Sequence, residues 1–223
     1  MIDMHCHILY GVDDGCQTLD DSLRMIRKAI SVGVTDMILT SHYAPMRGYV
    51  KTPLEIEERF HELKREVEKA NLSIRLYLGR EIDRIDHIEA LLKEKKIRTM
   101  NHTQYVLVDF GMEKCDIDEY CYELIINGYT PIIAHPERYN YISDFKDYHT
   151  WVKTGALLQV NASSLFHTKS KKTKKNALYM MKHNLVSFIG SDAHSNEASY
   201  DYLKKALKKY SSIDNKLLLG KEV

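Results

Sequence analysis

His5 and His7 stand two residues apart near the start of the chain, and Asp192 and His194 repeat that spacing near its far end. Residues at i and i+2 project from the same face of a β-strand. Imidazole and carboxylate groups presented in this way ligate borderline to hard divalent ions such as Zn²⁺, Mn²⁺ or Fe²⁺. Between the two pairs the chain supplies Asp14, His42, Glu81, Asp109 and His135, each beside a short apolar run. Together these positions overfill one ion and suit two or three. Charge and position give three groups: His5 and His7 with Asp192; Asp109 and His135 with Glu81 as a bridge to the first; and Asp14, His42 and His194. Two ions about 3.5–4 Å apart can bind a bridging hydroxide and clamp both oxygens of a phosphoryl transfer. Metal-dependent hydrolysis is the chemistry this pattern predicts.

Arg138 follows His135 by three residues on one loop. A guanidinium beside metal ions suits phosphate, which it can hold with two parallel hydrogen bonds. The plainer expectation is a surface arginine paired with Glu137 or Asp144. Arg80, next to Glu81, should point away from it if both lie in a strand. The lysines at 169, 171, 172, 174 and 175 read as a solvated helix start, with a phosphorylated or acidic partner as the lesser alternative. His61, His87, His102, His149, His167 and His183 lack a partner at strand spacing and are left as surface or core residues.

Other catalytic arrangements are excluded. Six residues beyond Cys6, Cys16, Cys115 and Cys121 stand Val12, Ser22, Cys121 and Asn127, so no cysteine phosphatase loop ending in arginine exists. The chain also lacks a Gly-x-Ser-x-Gly elbow and a Gly-Lys-Ser/Thr phosphate loop.

Placing these residues requires many strand ends. Met1–His5, Thr35–Thr40, Ile74–Leu78, Tyr105–Phe110, Thr130–Ala134, Ala156–Val160 and Leu185–Ile189 read as strands. Leu19–Val32, Pro53–Ala70, Asp86–Lys95, Ile117–Asn127, Lys174–His183 and Glu197–Tyr210 read as helices, followed by a polar tail. Cys115 and Cys121, six apart, read as lying in one helix, and Cys6 should face away from the His5–His7 side of its strand. Seven strand-to-helix steps predict a parallel α/β barrel rather than an open doubly wound sheet, because only a ring converges so many strand ends.

A length of 223 residues suits one domain spanning 1–223. The formal net charge of +1 gives no reason to expect nucleic-acid binding, and no apolar run approaches the length of a membrane span. The first residues lack a basic and apolar leader, and no Cys-x-x-Cys pair occurs, so a reducing cytoplasm is the expected compartment.

The opening Met-Ile-Asp-Met-His-Cys-His-Ile-Leu-Tyr-Gly-Val-Asp-Asp-Gly strongly resembles that of bacterial PHP-domain tyrosine phosphatases from capsule and exopolysaccharide gene clusters, the CpsB/YwqE type. Thr40-Ser41-His42, Gly79-Arg80-Glu81, Ala134-His135-Pro136-Glu137-Arg138 and Gly190-Ser191-Asp192-Ala193-His194 resemble the later motifs in order. The resemblance implies a distorted (β/α)7 barrel of the PHP type carrying three metal ions, manganese foremost, with iron or zinc as alternatives. It implies hydrolysis of phosphotyrosine on the autophosphorylated tail of a membrane-associated tyrosine kinase. It carries the ligand roles onto His5, His7, Asp14, His42, Glu81, Asp109, His135, Asp192 and His194, with Arg138 as phosphate binder. Two departures stand out. The family usually has glutamate at Asp109, and it often has a further arginine shortly after the Asp-x-His motif, where Ser195–Tyr200 has none. The rival expectations are a PHP phosphoesterase of small phosphate monoesters, such as a histidinol-phosphate-like substrate, and a binding relative that has lost catalysis. An amidohydrolase, which bridges its metals with a barrel lysine, is disfavoured because Glu81 takes that place.

Overall fold

Apolar and amphipathic runs alternate along the chain, and the computed structural model, which describes residues 1–220, turns them into strands and helices in that order. The strands are β1 (Ile2–Cys6), β2 (Asp36–Leu39), β3 (His42–Tyr43), β4 (Arg75–Leu78), β5 (Glu81–Asp83), β6 (Tyr105–Asp109), β7 (Thr130–Ala134), β8 (Leu157–Asn161) and β9 (Val186–Gly190). The helices are α1 (Leu19–Val32), α2 (Pro53–Lys69), α3 (Ile88–Lys93), α4 (Ile117–Ile126), α5 (Lys146–Thr154), α6 (Lys171–Lys182) and α7 (Ala198–Lys209).

All strand pairs are parallel and form two ladders, β1-β2-β4 and β3-β5-β6-β7-β8-β9. The ladders separate because two segments break partway: β2 and β3 flank Thr40–Ser41, and β4 and β5 flank Gly79–Arg80. At Gly79 a side chain would meet Met100 Sδ at 2.8 Å and Ile38 Cγ2 at 3.1 Å, so glycine lets the backbone pack closely against both there. Beyond the breaks His42 pairs with Glu81 and Asp83 with Asp109, which brings these residues to one level. The far end of the chain returns to the start: Asp192 N donates to His5 O at 2.9 Å and His7 N to Ala193 O at 2.7 Å. The result is a distorted seven-step barrel, interrupted at two breaks and joined at the first-to-last seam by isolated bonds rather than a ladder.

Local sequence explains the elements. α1 and α2 begin with reciprocal capping boxes, Thr18 with Asp21 and Thr52 with Glu55, and Pro53 opens α2 at a position tolerant of its missing N–H. Gly33, at φ 100°, ends α1. The buried face of α1, with Leu23, Ile26 and Ala29, packs in the layer between helices and strands. A second cluster of Met4, Ile38, Leu107, Ile132 and Phe188 fills the inner side beneath the site, with Met100 and Leu218 packed on it. Each such fully buried side chain stabilises the fold by roughly 1.5–3 kcal/mol.

Several expectations need correction. The nine-residue α5 (Lys146–Thr154) carries no side-chain N-cap and buries only Tyr148 and Trp151, too faint a periodicity to read. Cys115 precedes α4 rather than lying in it. The supposed polar tail folds back as a 3-10 turn at Asn215–Leu219. Asn215 Nδ2 donates to Ile2 O and Ile189 O, which clasps the first and last strands together from below the site. No helix of the described residues is long and apolar enough to cross a membrane.

Candidate metal centre

The strand ends and the loops after them bring all nine sequence-predicted residues to one face. His5, His7 and Glu81 lie fully buried at its base, while Asp14 and His194 keep 44% and 33% of their side-chain surface at the mouth. His5 Nε2 and His7 Nε2 stand 3.3 Å and 3.2 Å from Glu81 Oε2, and 3.7 Å and 3.5 Å from Asp192 Oδ1. The other Glu81 oxygen, Oε1, lies 2.7 Å from His135 Nε2. Asp14 Oδ1 is 3.4 Å from His42 Nε2 and 3.5 Å from His194 Nε2. Three groups are therefore compact enough to hold an ion: His5, His7 and Glu81; Glu81, Asp109 and His135; and His7, Asp14, His42 and His194. Glu81 belongs to two of them and His7 to two, so the groups are more tightly shared than their sequence positions indicate. None of His61, His87, His102, His149, His167 and His183 joins such a group among the described residues.

Residues that sequence reasoning missed orient these groups. His7 Nδ1 donates to Asp13 Oδ2 at 2.8 Å, and His5 Nδ1 to Gln159 Oε1 at 3.0 Å. Gln159 Oε1 also accepts from His135 N, its Nε2 donates to Asn161 Oδ1, and Asn161 Nδ2 donates to Asp192 Oδ2. Each acceptor holds a proton on Nδ1, so that the neutral form of the ring presents its Nε2 lone pair inward. Those lone pairs face each other across 3.2 Å, beside a buried Glu81 Oε2 that has no hydrogen-bond donor. Against burial, Asp13 and Glu81 hold the His7 imidazole well above its ordinary range, so this cluster of buried acceptors draws positive charge to the space between His5, His7 and Glu81, as a bound cation would supply it. The signal for this layer was present in the Asp13-Asp14 pair and in the alternation of Gln159 and Asn161 along β8.

His135 and Asp192 adopt left-handed backbone conformations, φ 34° and 49°, which residues with a Cβ seldom occupy. Such strain concentrates at functional sites, where surrounding bonds hold it in place. Close packing enforces the same geometry. A side chain at Gly15 would overlap His7 O at 2.0 Å, and one at Gly190 would lie 2.6 Å from His5 Cβ.

Electrostatics point the same way. Burial pushes Glu81 up, but the charges of His5 and His42 and the hydrogen bond of His135 override it and hold the carboxyl well below its usual range. Burial drives His42 down to about 4 against the pull of Glu81. His135 is buried too, yet Asp109 and Glu81 hold it up at about 9. Protons on some imidazoles thus supply only part of the positive charge that Asp13, Asp14, Glu81, Asp109 and Asp192 attract. Asp13→Asn should lower divalent-ion affinity by about 10–100-fold, the usual effect of losing such an orienting partner. Titrating the ion into protein in competition with a chromogenic chelator measures it, and unchanged affinity would show that Asp13 does not tune His7.

Arginines complete the mouth. Arg138 pairs with neither Glu137 nor Asp144; its Nη1 donates to Asp192 Oδ2 at 3.2 Å and its side chain remains 49% exposed. Glu137 is instead buried, accepting from Asn161 N at 3.0 Å and so anchoring the loop. Arg80 is buried behind the site and donates to His42 O at 2.7 Å. Arg47, unremarked in the sequence, reaches His42 Nδ1 at 3.0 Å while Asp83 holds it by two hydrogen bonds. Cys6 Sγ donates away from the site, to Ile38 O at 3.5 Å.

The family described as capsular polysaccharide synthesis, CpsB/CapC, matches residues 1–217. The chain belongs to that family. Tyrosine-protein phosphatase CpsB of Streptococcus agalactiae is 35% identical over 217 residues, covering 93% of this chain and 88% of that protein. Tyrosine-protein phosphatase YwqE of Bacillus subtilis is 32% identical over 212 residues, covering 93% and 82%. A crystal structure from the study of YwqE from Bacillus subtilis and CpsB from Streptococcus pneumoniae, described as unique metal-dependent tyrosine phosphatases, superposes with a TM-score of 0.87 at 30% identity, covering 100% of this chain and 96% of that one. Histidinol phosphate phosphatase from Lactococcus lactis, crystallised with zinc, L-histidinol and phosphate, shares the fold with a TM-score of 0.58 at 16% identity, covering 93% and 92%. Membership of the CpsB/CapC family thus agrees with the fold and with the polar cluster at its mouth.

Proposed function

We propose that this CpsB/CapC protein is a metal-dependent protein-tyrosine phosphatase. The observation that carries the reading is the Glu81 carboxylate, which faces His5 and His7 through one oxygen and His135 through the other. His5, His7, Glu81 and Asp192 would hold one divalent ion, Glu81, Asp109 and His135 a second, and Asp14, His42 and His194 a third. Such ions supply a deprotonated water near neutral pH and stabilise charge on a transferring phosphoryl group. The mixed nitrogen and oxygen donor set suits Mn²⁺, with Fe²⁺ or Zn²⁺ as alternatives.

The chain's own groups do the rest. Arg138, half exposed and leaning on Asp192, turns its free N–H groups to the phosphate oxygens and orients them. Gln159 and Asp13 keep the imidazoles of His5 and His7 in the tautomer that offers Nε2 inward. Asp14 and His194 line an open mouth rather than a closed pocket, which admits a side chain presented on a protein. The substrate we assign is phosphotyrosine on the autophosphorylated tail of a membrane-associated bacterial tyrosine kinase, within capsule or exopolysaccharide synthesis. Four unpaired cysteines suit a cytoplasmic setting.

The metal-reconstituted protein should hydrolyse a phosphotyrosine peptide with a kcat/KM well above that for a small alkyl phosphate such as histidinol phosphate. Steady-state phosphate release on both substrates, with metal content measured on the same sample, tests it. The reverse order of preference would make the protein a small-monoester phosphatase instead.

A further inference from the structure

The first turn of every helix but one carries a carboxylate: Asp20 and Asp21 in α1, Glu55 in α2, Glu89 in α3, Asp118 and Glu119 in α4, Asp147 in α5 and Asp201 in α7. The exception is α6, whose first turn has none. It starts instead with Lys171, Lys172, Lys174 and Lys175, just after Lys169. Cations at the positive end of a helix dipole repel it. All five lysines are exposed, and none has a carboxylate partner within ion-pair distance among the described residues. The arrangement opposes helix stability, and no carboxylate among the described residues offsets it; Lys175 rests over the Phe145 ring at 5.3 Å instead.

Its position gives it a use. Lys172 Nζ donates to Asn140 O at 2.6 Å, and Asn176 Nδ2 to Glu137 O at 3.2 Å. The lysine-bearing end of α6 is thereby fastened to the loop that carries Arg138, at the rim of the candidate metal centre. Lys174 Nζ donates to Phe166 O, and Lys209 Nζ lies 6.0 Å from the Phe166 ring, which extends the positive surface toward α7. Only Tyr139 lies between Arg138 and Asn140, so a peptide whose phosphate meets Arg138 passes the lysine-bearing end of α6 within a few residues.

Building on the phosphatase reading, we propose that Lys169, Lys171, Lys172, Lys174 and Lys175 form a docking rim that selects substrates with acidic residues a few positions from the phosphotyrosine. A peptide suits this surface better than an anionic lipid bilayer. Leu178 is the one large apolar side chain of α6 that is more than a third exposed, and a flat surface on this rim would cover the mouth.

The test compares two fluorescent phosphotyrosine peptides, one with Asp and Glu at the flanking positions and one with Gln and Asn, on the full chain. Binding to chelator-treated protein is followed by anisotropy, and turnover is measured after metal is restored. In the parent protein the acidic peptide should bind about five- to tenfold more tightly at low salt, the sum of one or two exposed ion pairs. The ratio should shrink at 0.5 M salt, where charges are screened within a few ångströms. Combined Lys169→Gln, Lys171→Gln, Lys172→Gln, Lys174→Gln and Lys175→Gln should bring the ratio near one, and Tm measured on both proteins checks that the fold persists, since the helix loses repulsion at its start but also the Lys172 and Lys174 hydrogen bonds. An equal ratio in parent and variant overturns the proposal. So does loss of binding to phosphatidylserine vesicles in the variant with no peptide preference in the parent. Failure to turn over either peptide with metal restored would count against the phosphatase reading, while the binding ratio would still decide the rim.

Discussion

Chelation should abolish phosphate release, readdition of Mn²⁺ should restore it, and Glu81→Gln should cut turnover at least about a hundredfold, beyond the 10–100-fold usual for orienting partners. Glutamine keeps the size of Glu81 but loses the charge. It would also place an amide N–H, which cannot ligate, against either the His5 and His7 nitrogens or His135, all within 3.3 Å of the present carboxylate. The damage should extend to both neighbouring groups, so bound metal measured by mass spectrometry should fall by more than one ion. Cys6→Ser provides the contrast. Its side chain donates to Ile38 O on the other side of the strand, a bond that a hydroxyl can replace, so turnover and metal content should persist. Undiminished activity in metal-free protein, or a fully active Glu81→Gln variant, would sink the metal-dependent reading.

Arg138→Ala should lower kcat/KM about tenfold or more while the bound metal stays. A hydrogen bond between charged groups contributes roughly 1.5–3 kcal/mol, and each 1.36 kcal/mol corresponds to about tenfold in rate. Two features of this chain make the loss hard to compensate. Ser195–Tyr200 offers no arginine, and Arg47, the other guanidinium beside the site, is occupied by two hydrogen bonds to Asp83. Arg138→Lys should recover only part of the rate, because an ammonium keeps the charge but not the planar pair of donors. Kinetics on a phosphotyrosine peptide decide the matter. Near-normal kcat/KM in a metal-replete Arg138→Ala protein would make Arg138 a surface residue that happens to rest on Asp192.

How much of this was legible in the sequence depended on the range over which each signal acts. α1 and α2 were readable because apolar spacing, capping residues and a terminal Gly33 or initial Pro53 all agree. The two-residue β3 and three-residue β5 were not, because they follow breaks in the chain, one of them at Gly79 where the backbone packs closely against Ile38 and Met100. The nine candidate ligands were found by residue type and by their places at strand ends. The bridging place of Glu81 was read as well, but not its extent: nothing in the order of residues says that Glu81 meets His5, His7, His42 and His135 at once. Asp13 and Gln159 were passed over because a residue that orients a ligand has no type of its own, only a position. The partner of Arg138 was out of reach for the same reason, since Asp192 lies far off in sequence, whereas Glu137 and Asp144, the carboxylates of the plainer alternative, lie close by.

The seam between β1 and β9 also sets when the centre comes into being. His5 and His7 emerge from the ribosome before Glu81, Asp109 and His135, and Asp192 and His194 emerge nearly sixty residues after His135. The Asn215 amide that clasps Ile2 to Ile189 comes later still. Contacts this distant along the chain form late and slowly. A growing chain therefore holds a half-built nest of imidazoles and carboxylates until the segment from β9 to Asn215 has been made, and it cannot be a finished catalyst before that segment has docked. Completion of the site and completion of the fold are one event.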